Sequence, residues 1–315
     1  MSTSTSTLPM ILEEVEVTGV DRLSPSFVRI ELGSAGLAEI GPDGPLLDQR
    51  IKLIFPGASG QLPDFTGADE SWYAAWMALP EAERGSMRTY TIRAVRGRGA
   101  DTRIVVDIVL HPGAGEHGPG ADWAEAARVG DRVVLVAPRV GHDFGGIEFD
   151  PGEATEVLLV GDETAVPAVA GILRDLPADA SGAAYLEVPV VQDFLDDVVP
   201  PTGVKLTWIA RDGAAVGQRL HAAVAAHLGV GAELPDADDV TEADVDPELW
   251  ETPTYSSSGE ALPESGRPHA GLYAWIAGES GMVTGLRRHL VRELGVDRSQ
   301  VAFMGYWRQG VAMRG

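Results

Sequence analysis

EVLLVGDETAVP, residues 156–167, runs from a continuously apolar segment through a glycine, two acids and a threonine into the start of a helix. A short apolar run bounded by turn residues reads as a strand buried on both faces. Asp162 and Thr164 are suited to cap the helix that follows, expected over Ala165–Leu176. The alternation recurs toward the C-terminus. Strands are expected at Ala183–Val188, Val204–Ala210, Tyr273–Gly278 and Gln300–Arg308, with helices at Gly217–Leu228 and Met282–Leu294. Strand–helix alternation predicts a doubly wound α/β domain, a parallel sheet with helices on both faces. Ligands of such sheets lie at the carboxyl ends of the strands. From about 229 to 269 the chain turns acidic and rich in Pro, Ser and Gly, with one amphipathic patch at Leu249-Trp250, and reads as a mobile insertion.

Upstream of residue 151 the pattern is different. Strands are expected at Ile11–Val20, Phe27–Leu32, Arg50–Phe55, Arg88–Arg96, Arg103–His111 and Arg132–Ala137, with turn residues between them. Trp72, Trp76 and Leu79 stand at helical spacing within 64–85, which reads as a loosely ordered lid or insertion. The first domain, 1–150, is therefore predicted to be a six-stranded antiparallel β-barrel, and the second, 151–315, the α/β domain.

Bulk properties narrow the function. The chain has 315 residues, 44% of them apolar, no cysteine and a formal net charge of -23. An acidic balance of that size argues against nucleic-acid binding, which needs surplus Lys and Arg. Absence of cysteine excludes disulfides, iron–sulfur clusters and Cys-ligated zinc. No apolar run is long enough to span or insert into a membrane, and the polar MSTSTST start lacks a signal-peptide layout. A cytoplasmic enzyme is the expectation.

Three stretches carry candidate chemistry. In MRTYTIR, residues 87–93, strand alternation puts Arg88, Tyr90 and Ile92 on one face and Thr89, Thr91 and Arg93 on the other. A guanidinium beside a phenol suits a flat, anionic ligand, and an ordinary exposed strand would read the same way. The loop from His111 to Trp123 contains Gly113-x-Gly115-x-x-Gly118, but its flanking strands belong to the barrel, so it is not a dinucleotide fingerprint. It fits either a phosphate at a helix N-terminus or a surface loop. His111 and His117 lack a third ligand, so no metal is assigned. The turn at 161–167 stands where a nucleotide would sit, and AGESGM at 277–282 repeats it. Lys52, Arg139 and Arg308 interrupt apolar surroundings in an acidic chain; they either snorkel to solvent or form an anion pocket. Arg211 and Arg287-Arg288 are candidates for a 2′-phosphate. No acid–base dyad is evident.

Taken in order, Arg50-Ile-Lys52-Leu, Arg88-Thr-Tyr90-Thr91-x-Arg93, His111-x5-His117-Gly118-Pro119-x3-Trp123, Gly161-Asp-Glu-Thr-Ala165-x-Pro167, Ala277-Gly-Glu279 and Gly305-Tyr-Trp-Arg308-x-Gly310 resemble the siderophore-interacting proteins. These are flavin-containing ferric-siderophore reductases of the ferredoxin-reductase-like superfamily. The resemblance implies an FAD-binding barrel ahead of an NAD(P)H-binding-type domain. It implies FAD contacts from Arg88 (phosphates), Tyr90 and Thr91 (flavin), Gly118 and Pro119 (pyrophosphate), Asp162 and Thr164 (adenosine), and also from Thr89, His111 and Ala165. Lys52, Arg139 and Arg308 would hold the ferric siderophore. Gly278, Glu279 and Ser280 would meet the nicotinamide of NADH or NADPH, unless a ferredoxin is the electron donor. Reduction to Fe(II) weakens a hard-oxygen chelate and releases the metal. Two alternatives remain: a related reductase acting on free flavin, quinone or a protein partner, and a flavin-bound siderophore carrier or sensor without turnover.

Overall fold

The computed structural model describes residues 8–42, 44–110, 118–229, 250–252, 255–256 and 271–310. The chain divides between Ile147 and Glu148 into two compact units.

The first unit is a curled sheet of seven antiparallel strands: β1 (Met10–Arg22), β2 (Phe27–Gly33), β3 (Arg50–Phe55), β4 (Ser86–Thr91), β5 (Ala94–Arg96), β6 (Arg103–Val109) and β7 (Arg132–Pro138), in the order β4-β3-β7-β1-β2-β6-β5. Six strands were expected. The run 88–96 divides because the chain changes partner within it: Ile92 N–H donates to Gln49 O, whereas Arg93 N–H donates to Val105 O. Those two bonds bring the sheet's edge strands, β4 and β5, together in the chain. The enclosed face buries Val15, Val17, Ile30, Leu32, Leu53, Phe55, Ile104, Val106 and Leu135. One helix, α3 (Pro119–Ala126), packs Ala121 and Ala124 onto that core.

The outer face of β3, β4 and β7 is also covered. Ile54, Met87, Val134 and Val136 pack with Trp76, and Leu62, Phe65, Trp72 and Leu79 complete the cluster. Trp72 and Trp76 ride on a short helix, α1 (Trp72–Met77), which a second, α2 (Glu81–Arg84), follows. The Trp76 indole donates to Arg84 O at 2.8 Å. The segment expected to be a loose lid is therefore a second small core.

The second unit has strands β8 (Glu156–Gly161), β9 (Ser181–Val188), β10 (Gly203–Ala210), β11 (Trp250–Thr252), β12 (Tyr255–Ser256), β13 (Leu272–Glu279) and β14 (Val301–Trp307), ordered β10-β9-β8-β13-β14-β11-β12. The first five in that order run parallel. Helix α4 (Val166–Asp175) follows β8, α5 (Gln218–His227) follows β10 and α6 (Ser280–Arg287) follows β13. Leu220, Val224, Val283 and Leu286 of α5 and α6 share a core with Leu158, Ile276 and Phe303 of the sheet. The expected mobile insertion differs in part: its segments 250–252 and 255–256 add two antiparallel strands beyond β14. The rest of it, including Leu249, lies outside the described residues.

Candidate functional site

In the first unit, strand register fixes what β4 presents. Arg88 stands opposite Leu53 and Tyr90 opposite Ile51, so both face the enclosed side; Thr89 pairs with Lys52 and Thr91 with Arg50 on the other. β4 is an edge strand of its sheet, so both faces flank one open border. The Tyr90 ring meets Phe55 edge-on at 6.0 Å, and Phe55 in turn packs against Trp123 of α3 at 5.1 Å. A Cβ on Gly120 would lie 2.0 Å from the Tyr90 hydroxyl, so α3 approaches Tyr90 as closely as glycine permits. Burial pushes the Tyr90 phenol pKa up, Arg88 opposing. Gly120, which the sequence reading did not single out, is where α3 meets Tyr90 and Phe55; its signal in the sequence was its place one residue after Gly118-Pro119.

Arg88 is half-buried and its Nη1 donates to Met87 O at 2.7 Å. It pairs with no carboxylate among the described residues, and burial lowers its pKa. The first turn of α3, entered through Gly118 and Pro119, carries no side-chain cap. Pro119 has no N–H and the Ala121 and Asp122 amides both donate to Gly118 O, so the Gly120 N–H is the one left open in that turn. A guanidinium without a carboxylate and this amide, with an aromatic ring nearby, form a donor set for phosphate and a flat heterocycle. His111 lies outside the described residues.

Lys52 donates to Thr89 Oγ1 at 2.6 Å. Burial, then the charge of Arg50, lowers its pKa. It has no carboxylate partner among the described residues. Arg139 differs. It forms an ion pair with Glu39, a largely exposed side chain, and its Nη2 reaches Met10 O at 3.3 Å.

The second unit's candidates gather at the carboxyl edge of the parallel sheet, where the order β9-β8-β13 places the topological switch between β8 and β13. Asp162 follows β8 and is fully buried. Its Oδ1 accepts from Thr164 N at 2.8 Å and Thr164 Oγ1 at 2.6 Å; its Oδ2 accepts from Glu279 N at 2.6 Å and Trp307 Nε1 at 2.7 Å. Burial, then the neighbouring charge of Glu163, raises its pKa to about 6, while the hydrogen bonds from Thr164, Trp307 and Glu279 pull the other way. Gly278 has φ +144°, and a Cβ there would meet Asp162 Cγ at 2.6 Å, so glycine lets the strands close over the carboxylate. Ala165 is buried against Gly161.

The residues expected to meet a nicotinamide are engaged here too. Glu279 caps its own helix, α6, with Oε2 accepting from Met282 N at 2.9 Å and Oε1 from Gln309 N at 3.2 Å. Buried Ser280 donates to Trp307 O at 2.9 Å. Glu187 serves α5 likewise, accepting from Gly217 N at 2.7 Å and Leu220 N at 3.3 Å. Arg211, a candidate for a 2′-phosphate, is forked onto Glu163 at 2.6 Å twice and lies 3.4 Å from Glu187. The positive helix ends that would attract a pyrophosphate are therefore supplied with the chain's own carboxylates. Arg308, next to this cluster in sequence, pairs with none of them among the described residues.

Comparison with known proteins follows the same division. Residues 16–142 match the Siderophore-interacting FAD-binding domain and residues 154–310 match Siderophore-interacting protein. The chain belongs to the siderophore-interacting protein family. A Mycobacterium tuberculosis relative described as uncharacterized is 32% identical over 95% of this chain and 91% of its own. The ferric vibriobactin reductase ViuB of Vibrio cholerae is 28% identical over 92% of each chain. The crystal structure of a siderophore utilization protein from T. fusca superposes with a TM-score of 0.65 at 27% identity, covering 97% of this chain and 96% of that one. The fold is ferredoxin-reductase-like, and the first unit is an FAD-binding domain. Its donor set fits that group: Arg88 without a carboxylate, the open Gly120 N–H at the start of α3, and the Tyr90 ring against which that helix closes. No helix among the described residues is long and apolar enough to cross a membrane.

Proposed function

We propose that this siderophore-interacting protein is an FAD-dependent ferric-siderophore reductase. The observation that carries the reading is the guanidinium of Arg88, without a carboxylate among the described residues, beside Tyr90 and the uncapped start of α3, within the matched FAD-binding domain. Arg88 holds the FAD phosphates, Gly118 and Pro119 open the turn that faces them, and Tyr90 and Thr91 position the flavin along β4. FAD, when bound, supplies a relay between a two-electron donor and ferric iron, which accepts one electron.

Lys52, Arg139 and Arg308 are the cations proposed for the ferric chelate. Lys52 and Arg308 are ready for an anion, whereas Arg139 has to exchange Glu39 for it. The ferric vibriobactin reductase among the relatives supports reduction over mere carriage. As electron donor, the acidic sheet edge weighs against a dinucleotide held there by its pyrophosphate, and a reduced ferredoxin stands beside NADH and NADPH as the candidate. The test is a visible spectrum of the purified protein after FAD reconstitution. It is followed by anaerobic turnover of a ferric siderophore with each donor, Fe(II) being trapped by a colorimetric chelator. Protein that takes up no FAD defeats the proposal; flavin-loaded protein that releases no Fe(II) with any donor is a carrier.

A further inference from the structure

Arg308 sits between two residues that are both tied down. Before it, Trp307 is held twice: its indole N–H donates to Asp162 Oδ2 at 2.7 Å, and its carbonyl accepts from Ser280 Oγ at 2.9 Å. After it, the Gln309 amide donates to Glu279 Oε1 at 3.2 Å. The anchors are themselves coupled, because Glu279 N–H donates to the same Asp162 oxygen at 2.6 Å. Asp162, Glu279 and Ser280 are all buried, while Arg308 remains part-exposed with no carboxylate partner among the described residues. Gly305 to Trp307 still ride on β14, and the chain leaves the sheet at the clamped point.

Such an arrangement does little for a dinucleotide. The switch point between β8 and β13, which takes the ligand in doubly wound sheets, is crossed by the Asp162–Glu279 bond. It does a great deal for a single cation on a short segment, because a long side chain gains precision from a fixed backbone. We propose that Asp162, with Glu279 and Ser280, is a positioning device for Arg308, holding that guanidinium in the orientation that receives the ferric chelate. The inference rests on the reading of Arg308 as a substrate cation.

Charge provides a discriminating sign. Asp162→Asn removes a negative charge, and by Coulomb attraction alone a trianionic chelate should then bind more tightly. An amide in its place also sets a donor against one of the donors Asp162 now satisfies, so positioning predicts the opposite. The probe is the ferric complex of a synthetic tripodal tris-catecholate, titrated onto the full-length protein as purified. Its affinity should fall about tenfold in Arg308→Met, the scale of one charge pair in partly excluded water. It should fall by a similar factor in Asp162→Asn, compared per FAD-loaded protein, and in Trp307→Phe with FAD content unchanged. The Asp162→Asn, Arg308→Met double variant should be no weaker than Arg308→Met alone, because one residue acts through the other. Trp307→Phe keeps a ring and loses only the indole donor, so it carries the test if Asp162→Asn does not fold.

Unchanged or tighter binding in Asp162→Asn or Trp307→Phe, with Arg308→Met weakened, overturns the positioning role and leaves the proposed function standing. Losses that simply add overturn it as well. No loss in Arg308→Met removes Arg308 from the substrate site, and the inference with it.

Discussion

At the scale of single residues, two ionisable groups carry the sharpest consequences. Arg88 is half-buried and has no carboxylate to offset its desolvation, an arrangement suited to an anionic partner. A hydrogen bond to a charged group contributes about 1.5–3 kcal/mol. Arg88→Met should therefore weaken FAD binding by roughly 10- to 100-fold, read by flavin retention through gel filtration. Arg88→Lys should recover part of the loss, since an ammonium keeps the charge and forfeits the fork. Asp162 makes a different prediction. Its folded pKa is raised from 3.8 to about 6, so between those values the folded state binds more protons than the unfolded one. Stability then falls as pH rises from 4 to 6 and is level above. The two-unit shift corresponds to about 3 kcal/mol at most. Comparing the urea midpoints of wild type and Asp162→Asn across that window isolates the effect. A difference between them that does not change with pH would show that Asp162 does not titrate there.

At the scale of elements, the close packing of α3 on Tyr90 bears on the proposed flavin seat. Gly120→Ala would ordinarily favour a helix by about 1 kcal/mol. Here the added methyl meets the Tyr90 hydroxyl at 2.0 Å and Phe55 at 3.1 Å. The expected outcome is a protein that unfolds no more readily in urea but retains less FAD, seen as a lower flavin-to-protein absorbance ratio. Full flavin retention in Gly120→Ala would detach α3 from the site. The same element marks what could be read from sequence. Arg88 and Tyr90 sharing a face, and Thr89 and Thr91 the other, followed from a period of two and holds in the register. The break of 88–96 into β4 and β5 did not, because alternation continues unchanged while the chain trades Gln49 for Val105 as partner. Trp72 and Trp76 showed their helix, but not the outer sheet face that they cover. The Asp162–Thr164 cap was legible because it is local. The bonds from Glu279 and Trp307, 117 and 145 residues away, were not; only folding brings those donors to one carboxylate. Asp162, read as an adenosine contact, and Glu279, read as a nicotinamide contact, are thus bonded to each other, which neither local pattern showed.

For the whole molecule, net charge sets the approach of the substrate. A formal charge of -23 repels a trianionic chelate at long range, while Lys52, Arg139 and Arg308, as proposed, attract it only nearby. Salt separates these effects by distance. The Debye length shrinks from about 30 Å at 0.01 M to about 8 Å at 0.15 M, so added salt removes the long-range repulsion first. Contacts of a few ångströms with partly buried cations are screened much less. The association rate of the ferric tris-catecholate should therefore rise several-fold over that range, with a smaller change in dissociation. This is the reverse of a protein that steers its anion with a positive surface. Stopped-flow quenching of the flavin by the chelate measures both rates. An association rate that falls steadily with salt would mean that local positive potential dominates the approach even at distance. With a net charge of this sign, the proposed reading leaves discrimination among anionic chelates to the proposed cations, Lys52, Arg139 and Arg308, and to how rigidly each is held.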